Sequence, residues 1–460
     1  MKKAKRYTAL VMAAAMAMSL AACGGDTSSA TSTASGATTA DTAQSGRSGS
    51  EGGRSLVISV ENVSAEANEA RTTYFDDPIK ANFAGDNITI DTASDAQSVQ
   101  VQVAGGSGPD LIHLNGPTDA AEYAKAGRLV DLTPYAEKYG WGDMFYDWAY
   151  KTSYYDGKLY SLPNSFEGMV MYYNADVFAA NGWEKPTNLD ELMKLFADCQ
   201  AKGVIPISFG NSDYQGAVDW LYSTFLSCYA GPAELKEALQ GTRKWTDPDI
   251  QGGIAQLNDW WQQGYIGDKK SQAISGSDML TLFANGEAAM MIDGTWASST
   301  LLTTYPDCNW DVETMPELRG GVGSVLPLAT GGCYVINSSC KDPDFAAEVL
   351  NWLYTGNLEN HIKGVVETGA QPFPIKSITA DKFSGMDTRM KDMYDALFDG
   401  QDSGNVGYCS WTFFPSAARD YMNENTDGLF LGTVTIDDYM AQVQTLMDEA
   451  LASGDAPQLP

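Results

Sequence analysis

From Ser55 onward the apolar residues switch repeatedly between a two-residue and a 3.6-residue period. Leu56 to Val60 and Asn87 to Ile90 read as strands, and Asp110 to Leu114 reads as a buried strand after the turn Gly105-Gly106-Ser107-Gly108-Pro109. Asp110 itself reads as structural, capping the turn beside Pro109. Helices are punctuated at both ends. Asn188 can cap a helix with Glu191 three residues on, Leu189, Leu192, Met193 and Phe196 share one face, and Gly203 ends it before a strand at Val204 to Phe209. Asp247-Pro248 and Asp342-Pro343 pair an N-cap with a proline at the first helical position, opening helices that end near Gly264 and Gly356. Thr435 starts a last helix with Ile436, Tyr439, Met440, Val443, Leu446 and Met447 on one face. Strands alternating with helices predict an α/β chain with largely parallel sheets. The stretch from Ser55 to Pro460 is longer than one hydrophobic core sustains, so two lobes are expected.

The first 54 residues follow neither period. Lys2, Lys3, Lys5 and Arg6 form a basic start, Ala9 to Leu20 an apolar segment, and Leu20-Ala21-Ala22-Cys23 closes it with small residues, which is the pattern of an export signal. Leu-Ala-Ala-Cys resembles the lipobox of bacterial lipoproteins. That implies removal of residues 1–22 as a signal peptide and lipidation of Cys23; an ordinary secretory signal with a chance cysteine is the alternative. Two acyl chains, each methylene contributing roughly 0.8 kcal/mol, would hold the protein stably at the membrane. Residues 23–54 are almost all Gly, Ser, Thr, Ala and Asp and read as a flexible tether. No other stretch reaches the eighteen or so apolar residues a spanning helix needs, which excludes a channel.

Charge changes the picture mainly by exclusion. The chain has 29 Lys and Arg against 59 Asp and Glu, a net charge of −30, which disfavours nucleic acid and anionic surfaces and suits a soluble body. Eleven Trp and 23 Tyr exceed what a core requires, so some should line a cleft. Cys199, Cys228, Cys308, Cys333, Cys340 and Cys409 are widely spaced; they read either as disulfide partners outside the cell or as buried small apolar groups, and not as a metal site. His113 and His361 are the only histidines, and neither stands in a hydrolase or zinc-protease pattern. No phosphate loop or EF-hand loop is present, and no cofactor is expected.

Four blocks bring in a resemblance. Ala104 to Ile112 carries Gly-Gly-Ser-Gly-Pro-Asp, and Asp156-Gly157-Lys158-Leu159-Tyr160-Ser161-Leu162-Pro163 continues through Glu167 to Tyr172-Tyr173-Asn174. Leu282 to Trp296 contains Phe-Ala-Asn-Gly-Glu-Ala-Ala-Met-Met-Ile-Asp-Gly-Thr-Trp, and Gly331-Gly332 precedes Tyr334-Val335-Ile336 and the helix from Pro343. In this order and spacing they resemble the carbohydrate-binding extracellular solute-binding proteins of bacterial ABC transporters, the group that includes maltose-binding protein. The resemblance implies a two-lobed α/β fold of the periplasmic-binding-protein type, with a cleft between lobes joined by crossing segments. The crossings are expected just after Pro163, near Pro327 to Gly332 and around Met386 to Gly400. That makes residues 55–163 with 328–390 one lobe and 164–327 with 391–455 the other.

A sugar needs aromatic platforms for its C–H faces and carboxylate or amide groups for its hydroxyls. By the resemblance Trp296, after Asp293-Gly294-Thr295, is the stacking platform, although a core tryptophan at a strand-to-helix junction would look the same. Glu167, six residues before Tyr173, is the cleft carboxylate, or else a hinge or surface glutamate. Trp411 supplies a second ring, with Phe413 its rival. Strand ends add Glu61, Asn62, Asn115, Asn211 and Tyr214, because ligands bind beyond the carboxyl ends of strands in open α/β sheets. Tyr160 and Trp260-Trp261 read as core. The expected function is a monomeric, lipid-anchored, extracytoplasmic solute-binding protein that passes an oligosaccharide to the permease of an ABC importer, without catalysis. A secreted glycoside hydrolase and a ligand sensor for a membrane receptor are the alternatives.

Overall fold

The computed structural model describes residues 53–60, 65–212, 218–270, 273–403 and 405–459. The lipobox with Cys23, the tether up to residue 52, and the candidates Glu61, Asn62 and Tyr214 lie outside the described residues.

Two mixed sheets organise the body. The strands are β1 (Ser55–Ser59), β2 (Asn87–Asp91), β3 (Leu111–Leu114), β4 (Ser161–Pro163), β5 (Glu167–Asn174), β6 (Ile205–Ser208), β7 (Ala288–Gly294), β8 (Trp310–Glu313), β9 (Leu326–Ala329), β10 (Cys333–Ile336) and β11 (Val406–Tyr408). The first sheet runs β2-β1-β3-β10-β4; the second runs β11-β9-β5-β7-β6, with β8 paired to β5. The expectation of largely parallel sheets needs correction. β1 is parallel to β2 and β3, β9 to β11 and β6 to β7, but β10 is antiparallel to β3 and β4, and β5 is antiparallel to β7, β8 and β9. The reason lies in how the chain changes sheets. It leaves β4 for β5 through 164–166 and returns from β9 to β10 through 330–332, with no crossover helix to restore a parallel direction.

The two connections touch each other. Ser165 Oγ accepts the backbone N–H of both Gly331 and Gly332 at 2.8 Å, and Asn164 N–H donates to Gly332 O at 2.8 Å. Thr412 ties on a third segment: its Oγ1 accepts from Thr330 N–H and donates to Thr330 O. The later helix Thr388–Ser403 packs beside β8 and β9.

Three of the expected helix starts are capped as read, whereas Asp247 makes no cap bond and its Oδ2 instead accepts from Lys244 N–H at 3.3 Å. Asn188 accepts from Glu191 N–H at 3.0 Å, Gly203 stops that helix at φ 73°, and Asp342 and Thr435 cap the helices Pro343–Tyr354 and Ile436–Ser453. Asp110 is structural, but its Oδ2 accepts from Val57 N–H at 2.8 Å and so ties the turn to β1. The core holds Trp260 and Trp261, with Trp260 edge-on to Phe196; Tyr160 packs on a smaller cluster against the first sheet. All six described cysteines are free thiols; Cys199, Cys228, Cys333 and Cys409 are buried. Among the described residues no helix is long and apolar enough to cross a membrane.

Candidate functional site

The ends of both sheets face a cleft of about 590 Å³, within the range of small-molecule sites. Glu167, the first residue of β5, stands directly after the crossing and is buried. Its Oε1 accepts from the indole Nε1–H of Trp411 at 3.2 Å. Gly331 makes this approach possible: a Cβ there would come within 1.5 Å of Glu167 Oε1. Trp296 is half-buried, tilted against Trp220 at 5.6 Å and edge-on to Trp411 at 5.9 Å, so three indoles form one wall. Asn115, at the end of β3, lines the same space.

Glu167, Trp296, Trp411 and Asn115 therefore meet in one cleft. Asn211 is buried after β6 and does not line it. Phe413 is buried against Tyr408 and does not line it either.

Sequence reasoning missed most of the opposite wall. A π-type turn at Thr72–Asp76 follows the helix Ala65–Arg71, and with Arg71 it brings Tyr74 and Phe75 to the cleft; such turns recur at functional sites but leave no clear trace in sequence. His113 and His361, the only histidines, both line the cleft, and their rarity was the one available signal. The His361 ring lies on Phe373 at 3.5 Å and its Nε2 accepts from Phe373 N–H; burial lowers its pKa to about 3, so it is a neutral acceptor. Asn164 Oδ1, also at the cleft, is buried without a hydrogen-bond partner among the described residues.

Both arginines at the cleft are engaged by acids. Arg419 donates through Nε to Asp219 Oδ2 at 2.7 Å and through Nη1 to Asp119 Oδ1 at 2.9 Å, while Ser410 Oγ donates to the other Asp219 oxygen at 2.8 Å. Asp219 lies on the helix Val218–Ala230, packed on the second sheet, and Asp119 on the helix Pro117–Lys125, packed on the first, so Arg419 joins the two layers. Arg71 pairs with Asp76 and donates to Asn68 Oδ1 at 2.7 Å. A site with aromatic walls, amides, a buried carboxylate as acceptor and arginines already engaged by acids suits an uncharged, hydroxyl-rich ligand. Among the described residues no cluster of His, Cys, Asp or Glu could hold a metal ion.

Comparison with known proteins agrees with this geometry. The family model of the bacterial extracellular solute-binding proteins matches residues 66–355. The chain belongs to that family. It is 25% identical over 208 residues to a Brucella suis protein named "Probable sugar-binding periplasmic protein", an alignment of 44% of this chain and 48% of that one, so it spans about half that relative's length. It is 23% identical over 396 residues to the galactooligosaccharide-binding protein of Bacillus subtilis, covering 83% of each chain. Among solved structures, a chitin oligosaccharide binding protein superposes with a TM-score of 0.73 at 25% identity, over 87% of this chain and 99% of that one. The two-lobed arrangement of this solute-binding protein is the one these structures share.

Proposed function

We propose that this solute-binding protein captures an uncharged carbohydrate, an oligosaccharide, in the cleft and delivers it to an ABC importer. The observation that carries the reading is the wall of Trp220, Trp296 and Trp411 set around the buried Glu167 in a cleft that both sheets line. Indole faces take the apolar face of a pyranose ring, and Glu167, Asn115 and Asn164 offer acceptors for its hydroxyls. A volume of about 590 Å³ has room for more than one sugar ring. The relatives named for galactooligosaccharide and chitin oligosaccharide support the ligand class.

The mechanism is closure without chemistry. The lobes are taken as 55–163 with 328–390 and 164–327 with 391–455, turning about the connections at 164–166 and 330–332. A sugar touching both walls favours the closed arrangement by its differential affinity. The protein works as a monomer, held at the outer face of the membrane by acyl chains on Cys23. Asp219, the second cleft carboxylate, is engaged by Arg419 and Ser410, an arrangement that suits an ion-pair partner better than the acid of a glycosidase. A thermal-shift screen over mono- and oligosaccharides tests the ligand class, since a ligand of the folded state raises the melting temperature. Chromatography after long incubation should recover the bound sugar intact. No stabilisation by any saccharide, or cleavage that stops in Glu167→Gln, would overturn the reading.

A further inference from the structure

Strand β7 ends in Asp293 and Gly294, directly before the cleft tryptophan. Asp293 is 2% exposed and its Oδ1 accepts Gly294 N–H at 2.7 Å. The six-membered edge of the Trp296 ring lies on Gly294, where a Cβ would come within 2.1 Å of Cζ3. Tyr172 Oη donates to Gly294 O at 2.8 Å. The peptide beneath the ring is thus gripped at its N–H by Asp293 and, one residue on, at its carbonyl by Tyr172.

Packing of the core does not call for a bare carboxyl at this place. Asp293 makes no ion pair among the described residues. The elements packed on β7 are β5, β6 and the helices Val218–Ala230 and Gly276–Ala284. They bring the acids Glu167, Asp219 and Asp278, the tyrosines Tyr172, Tyr173, Tyr222 and Tyr229, and Cys228, but no Lys, Arg or His. An apolar residue would fill the strand end at lower cost unless the carboxylate is needed as an acceptor.

We propose that Asp293 is the positioning residue of Trp296, its carboxylate fixing the Gly294 peptide on which the indole lies so that the ring presents a set face to the ligand. The inference rests on the reading of the cleft as a carbohydrate site. Burial pushes the Asp293 carboxyl up to about 7, and the ionised form is the stronger acceptor. Sugar affinity should therefore be highest above that pH and fall as pH drops through it, by about fivefold, the step from a charge-assisted to a neutral hydrogen bond. Fold stability runs the other way. A carboxyl whose pKa is raised on folding contributes most when protonated, and that contribution is lost as pH rises through about 7.

The first measurement needs no ligand: indole N–H resonances of the ¹⁵N-tryptophan-labelled protein across pH, with Trp296 assigned by its loss in Trp296→Ala. The Trp296 signal should titrate with a midpoint near 7 in the wild type and stay flat in Asp293→Asn, which keeps an acceptor of the same size. The saccharide found by the thermal screen should bind Asp293→Asn with a flat pH profile and Asp293→Leu more weakly at every pH. A Trp296 signal that does not titrate in the wild type, one that still titrates in Asp293→Asn, or an Asp293→Leu variant with wild-type affinity would overturn the inference alone and leave the carbohydrate reading standing. Wild-type affinity in Trp296→Ala would bring down both.

Discussion

Arg419→Met tests whether the cleft's charges hold the layers together. Arg419 has a side chain 9% exposed and bridges Asp219, 2% exposed, to Asp119, 37% exposed. Methionine keeps the apolar stem and removes the guanidinium. Asp119 then meets water, and little of its pairing energy should count, because a part-exposed ion pair contributes on the order of 0–1 kcal/mol. Asp219 has no such exit. It keeps only the Ser410 hydroxyl and becomes a buried charge without a counter-ion, a loss of about 3–5 kcal/mol. At an unfolding entropy of roughly 2.1 cal/mol/K per residue, that lowers the melting temperature of a chain this long by about 3–5 °C. Adding Asp219→Leu should recover most of the loss, since removing both charges leaves neither one stranded. Differential scanning calorimetry of the two single variants and the double variant reads the coupling directly. Additive losses in the double variant, or a change below about 1 kcal/mol in Arg419→Met, would refute the buried-charge argument.

Trp296→Ala should weaken saccharide binding by about 1–3 kcal/mol in isothermal titration, with little change in the ligand-free melting temperature; lost stability with unchanged affinity would show the ring to be core. Burial holds His361 near 3, below its unfolded value of about 6.5, so its contribution to stability is full above that value and is lost as pH falls toward 3. His361→Gln should therefore lose less stability than the wild type between about pH 7 and 4.5 in urea titrations, and an equal acid loss would count against this assignment. Cys23→Ala should leave the protein unlipidated and in the medium. A mutant that still partitions into the detergent phase would end the anchor hypothesis.

What could be read from the sequence was what short-range chemistry decides. Asn188 with Glu191, Asp342 with Pro343, and Thr435 mark helix starts because a cap needs only its own first turn. Glu167, Trp296, Trp411 and Asn115 could be named because each sits at a strand end or crossing that a local motif marks. Asp219, Arg419, Tyr74 and Phe75 could not. They reach the cleft from helical segments whose role is set by which sheet they pack on, and a buried arginine is recognisable only once both of its carboxylates are in place. Strand direction was misread for a similar reason: alternation of strand and helix implies parallel pairing only while a helix makes each crossover, and β4–β5 and β9–β10 have none.

The Ser165 hydroxyl, accepting from two successive amides of the other connection, makes two strands far apart in sequence into one axle. If the lobes turn about these connections as proposed, a joint of that kind would remove most of their rigid-body freedom and leave chiefly one rotation. On that reading a ligand seated on the tryptophan wall would meet the second wall as a tethered partner at high effective concentration, so its contacts would not need to offset the cost of ordering two independent bodies.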